Sequence, residues 1–158
     1  MFRRRDRTRL DRVLAAVEIP ALGLWLGAAC GFAFVFAPAA FRIVGSVDLP
    51  QFAALTATVL RELAIVGPAC GIVAIVAAIL RARDAADRTN DIVRVGLVVI
   101  ALALVAVETF AIVPQMAAMT DLRSPDYLAL HHESSLVYGG SVLCVIAALI
   151  LAAVRSDT

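Results

Sequence analysis

The chain has 158 residues, 62% of them hydrophobic, and a net charge of +1. Soluble domains are nearer half apolar, so no sizeable soluble domain fits beside the long apolar runs, and the near-neutral balance gives nucleic-acid binding no support. All fourteen basic residues are arginine, and Cys30, Cys70 and Cys144 lie singly inside apolar runs, a pattern that indicates neither a disulfide framework nor a zinc motif.

Residues 1–12 are arginine-rich, with Arg3, Arg4, Arg5, Arg7, Arg9 and Arg12 interleaved with Asp6 and Asp11. The apolar run behind them is longer than the ~7–15 residues of a signal-peptide core, which predicts an uncleaved signal anchor. The apolar runs predict an all-α, antiparallel bundle of four membrane-spanning helices in a single domain, at about residues 13–40, 51–80, 92–119 and 124–154. In the first, Gly23, Gly27 and Gly31 recur every fourth residue, so that a neighbouring backbone can come close. Glu18 and Pro20 sit near its start, and Phe32, Phe34, Phe36 and Pro38 mark its end. Residues 42–50 read as a short loop in which Asp48 caps the next helix.

The second helix carries Arg61 and Glu62 in its first half and another GxxxG, Gly67 and Gly71, interrupted by Pro68. The first two helices are therefore expected to pack through their small residues. Arg81 to Arg94, with Arg83, Asp84, Asp87, Arg88 and Asp91 between them, reads as a solvated loop. The third helix is interrupted by Glu108 and then by Pro114, and the fourth opens near Ser124. Arginine concentrates at the N-terminus, in the 81–94 segment and at Arg155, which predicts both termini on the cytoplasmic face of a multi-pass protein of a bacterial cytoplasmic membrane.

His131, Ser134, Ser135 and Tyr138 fall at i, i+3, i+4 and i+7, on one helical face. In this topology Arg61, Glu62, Glu108 and that face all come near the outer ends of their helices. Lone charge in hydrocarbon is costly, so these residues are expected to pair with one another. Two functions follow. One is an outer-leaflet cluster that binds a metal ion, a proton or a small ligand, with His131 as metal ligand or proton carrier, Glu108 as counter-charge and Ser134 orienting them. The other is a non-catalytic scaffold or accessory subunit, a homo-oligomer or a partner of another membrane protein, assembled through the GxxxG faces. No catalytic residue is assigned: Ser134 and His131 share one helix without a third triad member. The sequence names no cofactor.

Several of these residues carry a family resemblance. They are the Gly-rich first helix ending in an aromatic run with Ala37-Pro38 and Phe41, the polar residue ahead of Pro114, and Tyr127-Leu128-Ala129-Leu130-His131 followed by Ser134. In these the chain resembles the four-helix family of domain of unknown function 4149, which includes eukaryotic transmembrane protein 205. The resemblance implies a four-helix membrane protein with His131 and Ser134 at its most specific positions. The chain departs from the family in having Glu108 and Tyr138 where asparagine is frequent. A more distant likeness, to membrane proteins linked to copper resistance and haem metabolism, concerns the fold alone.

Overall fold

Four stretches are long and apolar enough to cross a membrane: Leu10–Gly45, Leu49–Ala82, Thr89–Ala117 and Pro125–Val154. In the computed structural model, which describes residues 2–82 and 89–156, each is one helical rod. The spans contain 36, 34, 29 and 30 residues. At about 1.5 Å per residue, each exceeds a hydrocarbon core about 30 Å thick, so their ends reach the interfaces. The helix of the first span begins at Phe2, well before the expected residue 13.

Consecutive spans are antiparallel neighbours, and the fourth closes on the first. The buried centre holds Leu22, Trp25, Cys70, Ala74, Val98, Ala101, Val145, Ala148 and Ala152. Small residues dominate because helices in lipid associate by close backbone approach, with no water to expel. Large apolar side chains point outward instead: Leu24, Ile65, Phe110 and Leu143 are all mostly exposed. A surface this apolar belongs in a lipid bilayer.

Two connections, residues 46–48 and 118–124, lie at one end of the bundle, called the loop end here; the ends of the described chain, Phe2 and Ser156, lie at the other. The loop-end helix starts are capped by side chains. Asp48 Oδ1 accepts the Gln51 amide at 2.9 Å and Ser124 Oγ accepts the Tyr127 amide at 3.2 Å. Arg42 to Gly45, read as loop from the sequence, is a wide helical turn that prolongs the first span.

The segment from Arg81 to Arg94 corrects the sequence reading. Residues 83–88, with Arg83, Asp84, Asp87 and Arg88, lie outside the described residues. Arg81, Asp91 and Arg94, however, are helical and buried. Helices that overrun the hydrocarbon carry these charges into contact with one another instead of out to solvent.

The glycines divide unexpectedly. A Cβ on Gly67 would stand 2.7 Å from Trp25 Nε1, and one on Gly71 would stand 2.9 Å from Trp25 Cζ3. The second span thus seats the Trp25 indole of the first on two glycines. A Cβ on Gly23, Gly27 or Gly31 would meet nothing within 4 Å. The first and second spans therefore pack glycine against tryptophan, not glycine against glycine.

Candidate functional site

Trp25 forms part of the wall of a cavity of about 330 Å³ in the loop half of the bundle. All four spans line it. The first contributes Trp25, Ala28 and Ala29, the second Ala57 to Gly67, the third Leu104 to Ala117, and the fourth Tyr138 and Ser141. Most of these residues are apolar; Arg61, Glu108, Thr109, Tyr138 and Ser141 are the polar ones.

Prolines shape this region. Proline has no amide hydrogen, and its ring clashes with the carbonyl four residues back. The wide π-helical turns Gly31–Phe36 and Glu108–Ile112 each end two residues before a proline, Pro38 and Pro114. Widening the turn accommodates the ring, and such turns occur often at functional sites. Pro68 lies inside the second span and withholds the α-helical donor from the carbonyl of Ala64, a residue of the cavity wall.

Glu108 opens its π turn and is only 8% exposed. Ser134 Oγ donates to Glu108 Oε1 at 2.5 Å. Depth explains the match. Glu108 is nine residues from the loop end of the third span and Ser134 nine from that of the fourth, each about 14 Å along its helix. Glu108 Oε2 is buried and takes no hydrogen bond among the described residues.

The stripe expected on one face of the fourth span divides in two. At about 100° per residue, Ser134 and Tyr138 lie on one side of the arc and His131 and Ser135 on the other. The bundle edge runs between them. Tyr138 Oη donates to the Ala29 carbonyl at 2.9 Å, just ahead of the first π turn. Ser141 Oγ donates to the Tyr138 carbonyl at 2.8 Å. Ser135 Oγ turns back to the His131 carbonyl of its own helix at 2.9 Å. His131 is exposed, and its ring stacks on Tyr127 at 6.3 Å. No hydrogen bond or ion pair joins His131 to Glu108 among the described residues. Nor do those residues contain a group of three or more His, Cys, Asp or Glu able to hold a metal. Arg61 lines the cavity but is exposed; Glu62, beside it, is exposed and is not among the residues that line it.

A second polar centre, toward the terminal end, went unread in the sequence. Glu18 of the first span lies between two guanidinium groups: Arg81 Nη1 of the second is 2.8 Å from Oε2, and Arg94 Nε of the third is 2.9 Å from Oε1. Arg94 Nη2 also reaches Asp91 Oδ1 at 2.7 Å. Glu18, Arg81, Asp91 and Arg94 are at most 4% exposed. Two positive and two negative charges make the set neutral, which offsets the several kcal/mol that burying each ion costs. The readable signal was Glu18, an acid inside an apolar run that needs a partner as much as Glu108 does.

The family model described as domain of unknown function (DUF4149) matches residues 21–125. The match covers most of the first span and all of the second and third, and stops where the fourth begins. No curated protein and no solved structure matches the chain.

Proposed function

Since the chain belongs to the DUF4149 family, a family defined without an activity, its role must be read from its own geometry, and we propose that it binds a small, mainly apolar molecule in the loop-half cavity. The observation that carries this reading is the cavity itself: about 330 Å³, walled by all four spans, with one buried carboxyl group among its lining residues. Ligand pockets have this character, being apolar with a few placed polar groups and about 300–1,000 Å³ in volume. Glu108 is the anchor, Ser134 holds its carboxyl group in place, and Tyr138 fixes the first span against the fourth. His131 has no part in this site. The distribution of arginine supports a reading with both termini cytoplasmic and the cavity in the outer leaflet of a bacterial cytoplasmic membrane.

Trp25 is the chain's one tryptophan and lines the cavity, so its fluorescence reports occupancy. The test uses protein in lipid nanodiscs and 2-(4-bromophenyl)ethanol, whose bromine quenches on contact. Saturable quenching is expected, weakened at least about tenfold by Ala64→Phe, which fills the cavity. Equal quenching in both forms overturns the proposal.

A second reading, self-association, is favoured by the open face of Gly23, Gly27 and Gly31. Its occupant is a second copy of the chain. With Cys30, Cys70 and Cys144 replaced by Ala, a cysteine at position 27 should then crosslink chain to chain in native membranes, and a monomer under those conditions removes this reading.

A further inference from the structure

We infer that the ligand of this cavity is a membrane-soluble amine carrying a protonated N–H group. The inference rests on the cavity being a ligand site and adds the chemical class. It comes from which hydrogen-bonding groups are already satisfied. The two hydroxyl groups that the fourth span adds to the wall are spent, Tyr138 on the Ala29 carbonyl and Ser141 on the Tyr138 carbonyl. Of the other polar groups of the wall, Thr109 is half-buried and Arg61 exposed, and the buried one left over is an acceptor. Glu108 Oε2 is buried and takes no hydrogen bond, and Pro68 leaves the Ala64 carbonyl without its helical donor. Glu108 is also far from the buried cations: Arg81 and Arg94 are held by Glu18 and Asp91 near the terminal end.

A buried carboxylate without a counter-charge is costly. An ammonium group inside the cavity would stabilise the ionised form of Glu108 and donate to Oε2. The rest of the wall suits the remainder of such a molecule. Its alanine, leucine and valine side chains receive an apolar body, and the Trp25 and Tyr138 rings lie in the same wall, where aromatic faces attract cations. Arg61 is the one other charged residue of the wall, and it opposes a cation. It is exposed on the bundle surface, however, so its long stem can carry the guanidinium away from the cavity toward the interface.

The test varies the head group on one apolar body in the same nanodisc assay. The probes are 2-(4-bromophenyl)ethylammonium, 2-(4-bromophenyl)ethanol and 3-(4-bromophenyl)propanoate. In the unaltered protein the ammonium is expected to half-saturate Trp25 quenching at a concentration at least about tenfold below the alcohol, as a hydrogen bond to a charged group implies, with the carboxylate weakest. Glu108→Gln should bring the ammonium to the level that the alcohol shows in the same variant, which erases the head-group preference. Arg61→Gln, at an exposed position that folding tolerates, should tighten the ammonium and weaken the carboxylate further. Saturable alcohol quenching with no ammonium preference, or a preference that survives Glu108→Gln, overturns the amine assignment and leaves the cavity reading standing. A shift of opposite sign in Arg61→Gln also overturns it. Absence of quenching by all three probes removes both readings together.

Discussion

Replacing Glu18 by leucine should be among the most damaging single changes in the bundle, although leucine suits a membrane better than glutamate does. Glu18 is the acceptor for both Arg81 and Arg94. Without it the two guanidinium groups are left with Asp91 as the acid of the set, and Arg81, 4% exposed, loses its ion-pair partner among the described residues. Separated helices do not suffer in the same way, because Arg81 lies one residue from the end of its span and can reach the interface. The loss therefore falls on the folded state. Removing one member of a buried ion pair typically costs about 3–5 kcal/mol, or more than about a hundredfold in the unfolding equilibrium. The double variant Glu18→Leu with Arg81→Leu restores neutrality, since it leaves Arg94 and Asp91 at 2.7 Å. It should recover to within about 1 kcal/mol of the original protein, because well-packed apolar replacement of a whole pair is often neutral or better. Unfolding in mixed detergent micelles containing SDS, followed by circular dichroism, measures all three proteins. A cost for Glu18→Leu no larger than that of Leu24→Ala, at a lipid-facing site, would refute this reasoning. So would a double variant as unstable as the sum of its singles.

The same assay checks the remaining contacts. Gly67→Val should cost about 1–3 kcal/mol through overpacking, because even its Cβ stands 2.7 Å from Trp25 Nε1. Gly96→Ala, which meets nothing within 4 Å, should be neutral or gain up to about 1 kcal/mol of helix propensity. Ser134→Ala strips the described donor from Glu108 Oε1 and should cost about 1.5–3 kcal/mol. Ser135→Ala, whose hydroxyl bonds its own helix, should change stability by less than about 0.5 kcal/mol; equal effects of the two serines would mean that the Glu108 contact does not hold the third and fourth spans together.

The four spans were legible because crossing lipid demands long apolar runs, and the caps at Asp48 and Ser124 because few residue types accept a helix's first amides. The need of Glu108 for a partner was also readable, and counting residues from the loop end finds Ser134 at its depth. Helical spacing could not say where the bundle edge cuts a stripe of polar residues, and that edge left His131 outside while keeping Tyr138 in. GxxxG spacing likewise shows that a close approach is possible without saying which group approaches; for Gly67 and Gly71 it is an indole ring. The largest omission was the Glu18 network. Charge density between Arg81 and Arg94 suggested solvent, but sequence density ignores that three long helices bring those charges to one depth beside a lone acid.

The two halves of the bundle treat charge in opposite ways, and this locates the binding energy. Toward the terminal end, two acids and two arginines neutralise one another's charge, although Glu18 Oε1, Arg81 Nε, Arg94 Nε and Arg94 Nη1 have no hydrogen bond among the described residues. A charged guest there would have to displace an existing pair. In the loop half, Pro38 and Pro114 each follow a widened turn, and Phe34 and Phe110, four residues before them, point to the lipid at 77% and 80% exposure. The interior left behind is a cavity with one carboxyl group only partly served. A guest that completes the hydrogen bonding of Glu108 gains an interaction that costs no existing contact and links all four spans through the walls of the cavity. Binding of this kind must also stabilise the fold, by about 2.7 kcal/mol at a hundred times the dissociation constant. An amine that quenches Trp25 without raising resistance to SDS would therefore be contacting the tryptophan from somewhere other than this cavity.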